Sequence, residues 1–157
     1  MKPYVAVVGA GVADDDLAAR AEEVGRLLAE AGACLLTGGL GGVMEASCRG
    51  AKGAGGTTLA LLPSLDKQVA NDYVDVAIPT GMGEMRNALI VRAADALIAI
   101  GGEYGTLSEV AFALKTDTPV IGLGTWELMK DGLRVEAFPI ASSAHEAVSL
   151  ALAACSA

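Results

Sequence analysis

The sequence predicts an α/β fold: a Rossmann-like, doubly wound parallel sheet of about six or seven strands, with helices on both faces. Three observations carry this. Short apolar runs recur along the chain, such as "YVAVVG" at 4–9 and "DALIAIG" at 95–101. Stretches of helical period lie between them, and the junctions from run to helix are rich in glycine. Strands that are apolar throughout and alternate with helices build parallel sheets covered on both faces. Right-handed crossovers then wind the sheet doubly.

Residues 4–9 read as the first strand. The segment 14–32 follows as an amphipathic helix. Leu17, Ala21, Val24, Leu27 and Leu28 share one face, and acidic residues crowd the first turn, where the macrodipole favours them. "ACLLTG" (33–38) is a second strand, and 41–55 a helix interrupted by glycine. "TTLALLP" (57–63) is a third strand closed by proline, 64–73 the longest loop, and 74–79 a fourth strand. A helix over 83–94 leads into the fifth strand at 95–101, and a helix over about 105–116 into a strand at 119–124. The pattern leaves 125–133 unassigned. It reads 134–141 as a last strand and 143–156 as a closing helix with a serine cap. With no repeat, linker or low-complexity tract, residues 1–157 form a single domain.

Composition bounds the function. The chain is 53% apolar with a mean hydropathy of +0.48. No run approaches the roughly 20 apolar residues of a membrane span. The surplus apolar surface predicts a face covered by another copy of the chain, in a homodimer or homotetramer. A net charge of −8 disfavours nucleic acid and anionic membrane surfaces, which need a basic face. Cys34, Cys48 and Cys155 form neither a disulfide framework nor a CxxC motif, so free thiols in a reducing cytoplasm are expected. His145 is the only histidine, which leaves little material for a metal site or a Ser-His triad.

Three glycine loops end strands at what the fold makes one edge: Gly9 to Gly11, "TGGLGG" (37–42) and "GGEYGT" (101–106). In such sheets ligands bind outside the carboxyl ends of the strands. Exposed amides at a following helix N-terminus suit an anion. Asp14 stands where a dinucleotide fingerprint needs its third glycine, and Thr37 and Gly38 stand where it needs an acid, so an NAD-type site is not expected. There is no GxxxxGK[ST]. A small phosphorylated ligand held by Gly9, Gly11, Gly38, Gly39, Gly101, Gly102, Gly105 and Thr106 is the expectation.

The stretch "GEMRNALIVRAADALIAIGGEYGTLSE" (83–109) resembles the core of the LOG-like superfamily, long labelled lysine decarboxylases. Its hallmark is an arginine opening one helix, then a strand, then PGGxGTxxE opening the next helix. Arg86 and Glu109, 23 positions apart, match it in type and spacing. The "GG" followed by "GGVMEA" and the strand ending "LLP" agree, so the resemblance covers about 1–124. Gly101 replaces the hallmark proline, Glu103 its second glycine, and Asn87 the lysine that usually follows the arginine. These departures, the short chain and "GTWEL" (124–128) look more like the molybdenum cofactor carrier branch.

The resemblance implies two functions. The carrier branch implies binding of a molybdopterin-type or nucleotide ligand at the glycine loops. The LOG branch implies a nucleoside 5′-monophosphate phosphoribohydrolase, in which Arg86 and Glu109 are catalytic. Cleaving an N-glycosidic bond builds positive charge on the ribose, which a carboxylate stabilises. Arg86 would clamp a phosphate or fix Glu109. Blander readings stand beside these. "TLSE" (106–109) fits a capping box, with Thr106 as N-cap and Glu109 at N3. Taken alone, Arg86 reads as an exposed helix residue. Glu45 and Arg49 are spaced for an i,i+4 ion pair. Met82, Met85, Leu89 and Ile90 read as core or subunit contact, and Tyr104 as a stacking residue or a partly buried turn aromatic.

Overall fold

A computed structural model describes residues 1–156. Six strands form one sheet: β1 (Tyr4–Gly9), β2 (Cys34–Thr37), β3 (Thr57–Leu62), β4 (Val76–Pro79), β5 (Ala96–Ile100) and β6 (Val120–Leu123). Their order is β4-β3-β2-β1-β5-β6, and every pairing is parallel. In β1 and β5 successive side chains point to opposite faces, and both faces are buried, which is why the runs are apolar without alternation.

Each face has its own core. Val5, Val7, Leu35, Ile98 and Ile100 pack beneath helices α1 (Asp15–Glu30), α2 (Val43–Gly53) and α5 (Ala144–Cys155). Ala6, Val8, Leu36, Leu97 and Ala99 pack beneath α3 (Asn87–Ala93) and α4 (Tyr104–Lys115). Gly25 of α1 and Gly50 of α2 are contact residues. A Cβ on Gly25 would lie 1.9 Å from the Ser47 carbonyl oxygen, and one on Gly50 1.9 Å from that of Glu22. The two helices approach backbone to backbone, so this pair tolerates no side chain at either position. Asp14 caps α1 by accepting from the Leu17 amide, and Ser143 caps α5 by accepting from the Glu146 amide.

Four expectations are corrected. Residues 134–141 do not extend the sheet as a strand. Leu128–Lys130 (β7) and Leu133–Val135 (β8) form an antiparallel hairpin, and further on only an isolated bridge joins Ile140 to Gly122. The residues of β8 are exposed, so no buried face holds them against β6. The first turn of the 83–94 helix is 3₁₀ (Gly83–Arg86), so Arg86 sits at a helix-type junction. The capping box at 106–109 does not form. The N-cap is Glu103, three residues before Thr106, at an extended φ of −117°, which places Thr106 and Glu109 inside α4, both buried. Arg49 does not pair with Glu45. It reaches across to Glu22 on α1 at 2.8 Å, with its guanidinium over the Tyr73 ring.

The crossover from β3 to β4 carries only a 3₁₀ turn (Lys67–Val69). Val76 and Ile78 of β4 are therefore exposed, as are Met82, Met85 and Leu89 nearby in the chain. Of the four residues read as core or subunit contact, only Ile90 is in the core. No helix among the described residues is long and apolar enough to cross a membrane.

Candidate functional site

The sheet order reverses between β1 and β5, because the chain runs outward from β1 to β4 and then returns to the other side of β1. Loops leaving β1 and β5 must part there and open a crevice. A cavity of about 230 Å³ occupies this place. Gly9, Gly38, Arg86, Gly105, Thr106 and Glu109 line it, with Leu40, Met44 and Pro63 as an apolar wall and Glu84 and Asn87 at the start of α3. Six of the predicted site residues thus converge on one cavity. Gly11, Gly39, Gly101 and Gly102 do not line it. Gly101 and Gly102 border a neighbouring hollow of about 420 Å³ together with Gly124, Thr125 and Trp126.

The three loops are not equivalent. The first turn of α1 carries Asp15 and Asp16, and Asp14 already takes one of its amides. An anion is repelled there. Neither α2 nor α4 has a side-chain cap. In α4 the first amide to bond within the helix is that of Leu107, to Glu103, which leaves the amides of Tyr104, Gly105 and Thr106 pointing out of its N-terminus. Gly9 and Gly42 are there for close approach. A Cβ on Gly9 would lie 2.3 Å from the Ile100 carbonyl oxygen, and one on Gly42 2.2 Å from that of Ala10.

Arg86 is the unusual group. It is only 7% exposed, and its Nε and Nη1 have no hydrogen-bond partner. Its guanidinium lies against Gly38, where a Cβ would come within 2.2 Å of Nη1. Gly38 is thus the residue that lets the fork reach the crevice. Burial pulls the Arg86 guanidinium below its ordinary pKa, opposed by the charges of Glu109 and Glu84. Burial pushes the Glu109 carboxyl up to about 7, and the Arg86 charge opposes this. The two groups face each other across the pocket as a poised pair: a cation with unused donors and a carboxyl that titrates near neutrality. Asn87 donates to Ser108 Oγ at 3.1 Å and ties α3 to α4 at the surface.

Sequence reasoning missed Leu40, Met44 and Pro63 as cavity walls. It also missed the anchoring of the 124–126 loop, where Thr125 bonds the Gly101 carbonyl at 2.5 Å and Trp126 that of Glu103 at 3.1 Å. Tyr104 is 81% exposed and so is no partly buried turn aromatic.

The sequence profile described as LDcluster4, the SLOG cluster4 family, matches residues 2–149. An uncharacterized protein of Archaeoglobus fulgidus is 48% identical over 131 residues, 83% of this chain and 85% of that protein. The structure of the molybdenum cofactor binding protein from the phototrophic bacterium Rippkaea orientalis is similar at a TM-score of 0.88. It is 39% identical, over 98% of this chain and 97% of its own. The molybdenum cofactor carrier protein of Chlamydomonas reinhardtii superposes with a TM-score of 0.86 at 34% identity, over 99% of each chain.

Proposed function

The chain belongs to the SLOG cluster4 family, and from that premise we propose that it is a carrier that holds a phosphorylated heterocycle of the molybdopterin type in the Arg86 cavity. One observation carries the reading: a guanidinium 7% exposed with two donors unpartnered. Buried donors left unpaired are costly. A phosphate in the cavity would face this guanidinium and offer it charge-assisted bonds. The outward amides of α4 and its positive dipole end would share that phosphate. The cofactor carriers similar to this chain favour a molybdopterin-type cargo over a nucleotide. Arg86, Gly105 and Thr106 are the residues that would hold its phosphate, and Leu40, Met44 and Pro63 the wall beside it.

Gly105→Val tests the cradle. A Cβ at Gly105 meets nothing within 4 Å, so the added side chain starts into open space at the cavity, where a ligand would lie. Affinity for inorganic phosphate and for a phosphorylated pterin should fall at least about tenfold, the equivalent of one lost charge-assisted bond of roughly 1.5–3 kcal/mol. The melting temperature should stay within a few degrees. Wild-type affinity in this variant would leave the loop as a turn.

Glu109 favours a second reading, a phosphoribohydrolase. A carboxyl titrating at about 7 beside an anion cradle could protonate a leaving base or, once ionised, face a ribose cation. Release of free adenine from AMP decides between the two: turnover lost in Glu109→Gln establishes the hydrolase, and none in the wild type leaves the carrier. We further propose that the exposed strip of Val76, Ile78, Met82, Met85 and Leu89 is covered in a homodimer or homotetramer. Light scattering that shows a monomer at micromolar concentration would remove this.

A further inference from the structure

Trp126, which lines the hollow beside Gly101 and Gly102 together with Glu127, is half-buried and pairs with the exposed ring of Tyr104. The ring centroids of Tyr104 and Trp126 lie 5.9 Å apart, with the planes tilted by 34°. Neither ring belongs to the core, and Tyr104 is 81% exposed. Two bonds nonetheless fix their loops together. Trp126 Nε1 donates to the Glu103 carbonyl at 3.1 Å, and Thr125 Oγ1 to that of Gly101 at 2.5 Å. Gly101, Gly102 and Gly124 take positive φ values of 56°, 102° and 60°, which lets the two loops turn back on each other. The result is a hollow of about 420 Å³ floored by glycine and flanked by the indole.

We infer that Tyr104 and Trp126 form a stacking platform for the planar ring of an N-heterocycle whose phosphate sits in the Arg86 cavity. This rests on the phosphate reading above. Continuity makes the connection. Tyr104 directly precedes Gly105, and its own amide is one of the outward amides at the α4 N-terminus. A ligand with its phosphate on those amides therefore starts at the residue that carries one ring of this pair. Ring faces of this kind stack on π-systems of any heterocycle, so the platform selects for a ring and the cradle for a phosphate.

The chain has one tryptophan, so Trp126 reports on its own surroundings. Four probes are titrated by calorimetry with Trp126 emission followed in parallel: AMP, a monophosphorylated pterin, ribose 5-phosphate and inorganic phosphate. AMP or the pterin should bind the wild type more tightly than the ring-free probes and alter Trp126 emission. Tyr104→Ala and Trp126→Ala should each weaken the ring-bearing probes by about 5- to 150-fold, and Trp126→Ala should leave inorganic phosphate unchanged. Trp126→Phe keeps a ring face without the Nε1 bond and should retain most of the affinity. If both alanine variants bind AMP and the pterin as the wild type does while Gly105→Val weakens them, the platform is wrong and the phosphate cradle stands. If the wild type binds none of the four, both fall. Should the alanine variants lose inorganic phosphate too, Trp126→Phe decides: retained affinity for AMP or the pterin supports stacking, and its loss overturns it.

Discussion

Raising the pH from about 5 to about 8 is expected to cost the fold up to about 3 kcal/mol at one residue, Glu109. Its carboxyl is buried and titrates at about 7, against an ordinary 4.5. Below 4.5 it is protonated in both the folded and the unfolded chain and is indifferent to pH. Between 4.5 and 7 the unfolded chain gives up the proton and the folded chain keeps it, so stability falls as pH rises. Above about 7 both forms are ionised, and the loss is complete. Each pH unit of that window corresponds to about 1.4 kcal/mol, which sets the total. Other carboxylates also titrate, so the measurement is a difference. Urea unfolding of the wild type and Glu109→Gln is compared at several pH values across the window. The wild type should lose stability relative to the variant as pH rises, and a pH-independent gap would refute the buried carboxyl. The same linkage reaches the ligand. An anion beside Glu109 favours its protonated form, so binding should take up a proton near neutrality. A net stability of about 5–15 kcal/mol is ordinary for a domain, so a loss of this size is visible without unfolding the protein.

The parts of this molecule legible in the sequence are those set by local physics. The inner strands β1, β2, β5 and β6 are apolar because both faces are covered. The Asp14 and Ser143 caps are legible because a side-chain oxygen and the amide it accepts from lie within one turn of chain. The 134–141 stretch misled because "RVEAFPIA" has strand composition, while register depends on a buried face that those residues lack. Thr106 misled for a related reason. It has the chemistry of a cap, but the chain turns at Gly101 and Gly102, both at positive φ, and α4 starts earlier, at Tyr104. Arg86 and Glu109 were paired through a family spacing. Their exclusion from water was not legible, since it depends on Gly38, 48 positions from Arg86 in the chain, leaving room for the guanidinium. Arg49 shows the same limit. Its partner Glu22 is 27 residues away, whereas the local candidate Glu45 is unused.

Arg86→Met is expected to move stability and affinity in opposite directions. The guanidinium is buried and carries two unpaired donors, and burial has already lowered its pKa. A desolvated charge without bonded partners is a liability to the fold. Methionine is unbranched, fills a similar path and needs no partner. Glu109 would lose its attracting charge and become more fully protonated, which leaves a neutral acid and no second uncompensated ion. Stability at neutral pH should therefore rise by about 1–3 kcal/mol, in the range found when buried charges give way to apolar side chains. Affinity for a phosphorylated pterin should fall by about 2–5 kcal/mol, on the order of 30-fold or more, because the ligand loses the guanidinium charge and its donors. Arg86→Lys should lie between the two, since lysine keeps the charge and gives up the planar fork. Urea unfolding and calorimetry on the same preparations read both quantities. Stabilisation with lost binding means that the strain at Arg86 is held for the ligand, as at sites where function is kept at the expense of stability. Destabilisation with wild-type binding would make Arg86 a structural cation of the α3–α4 junction and move the ligand elsewhere.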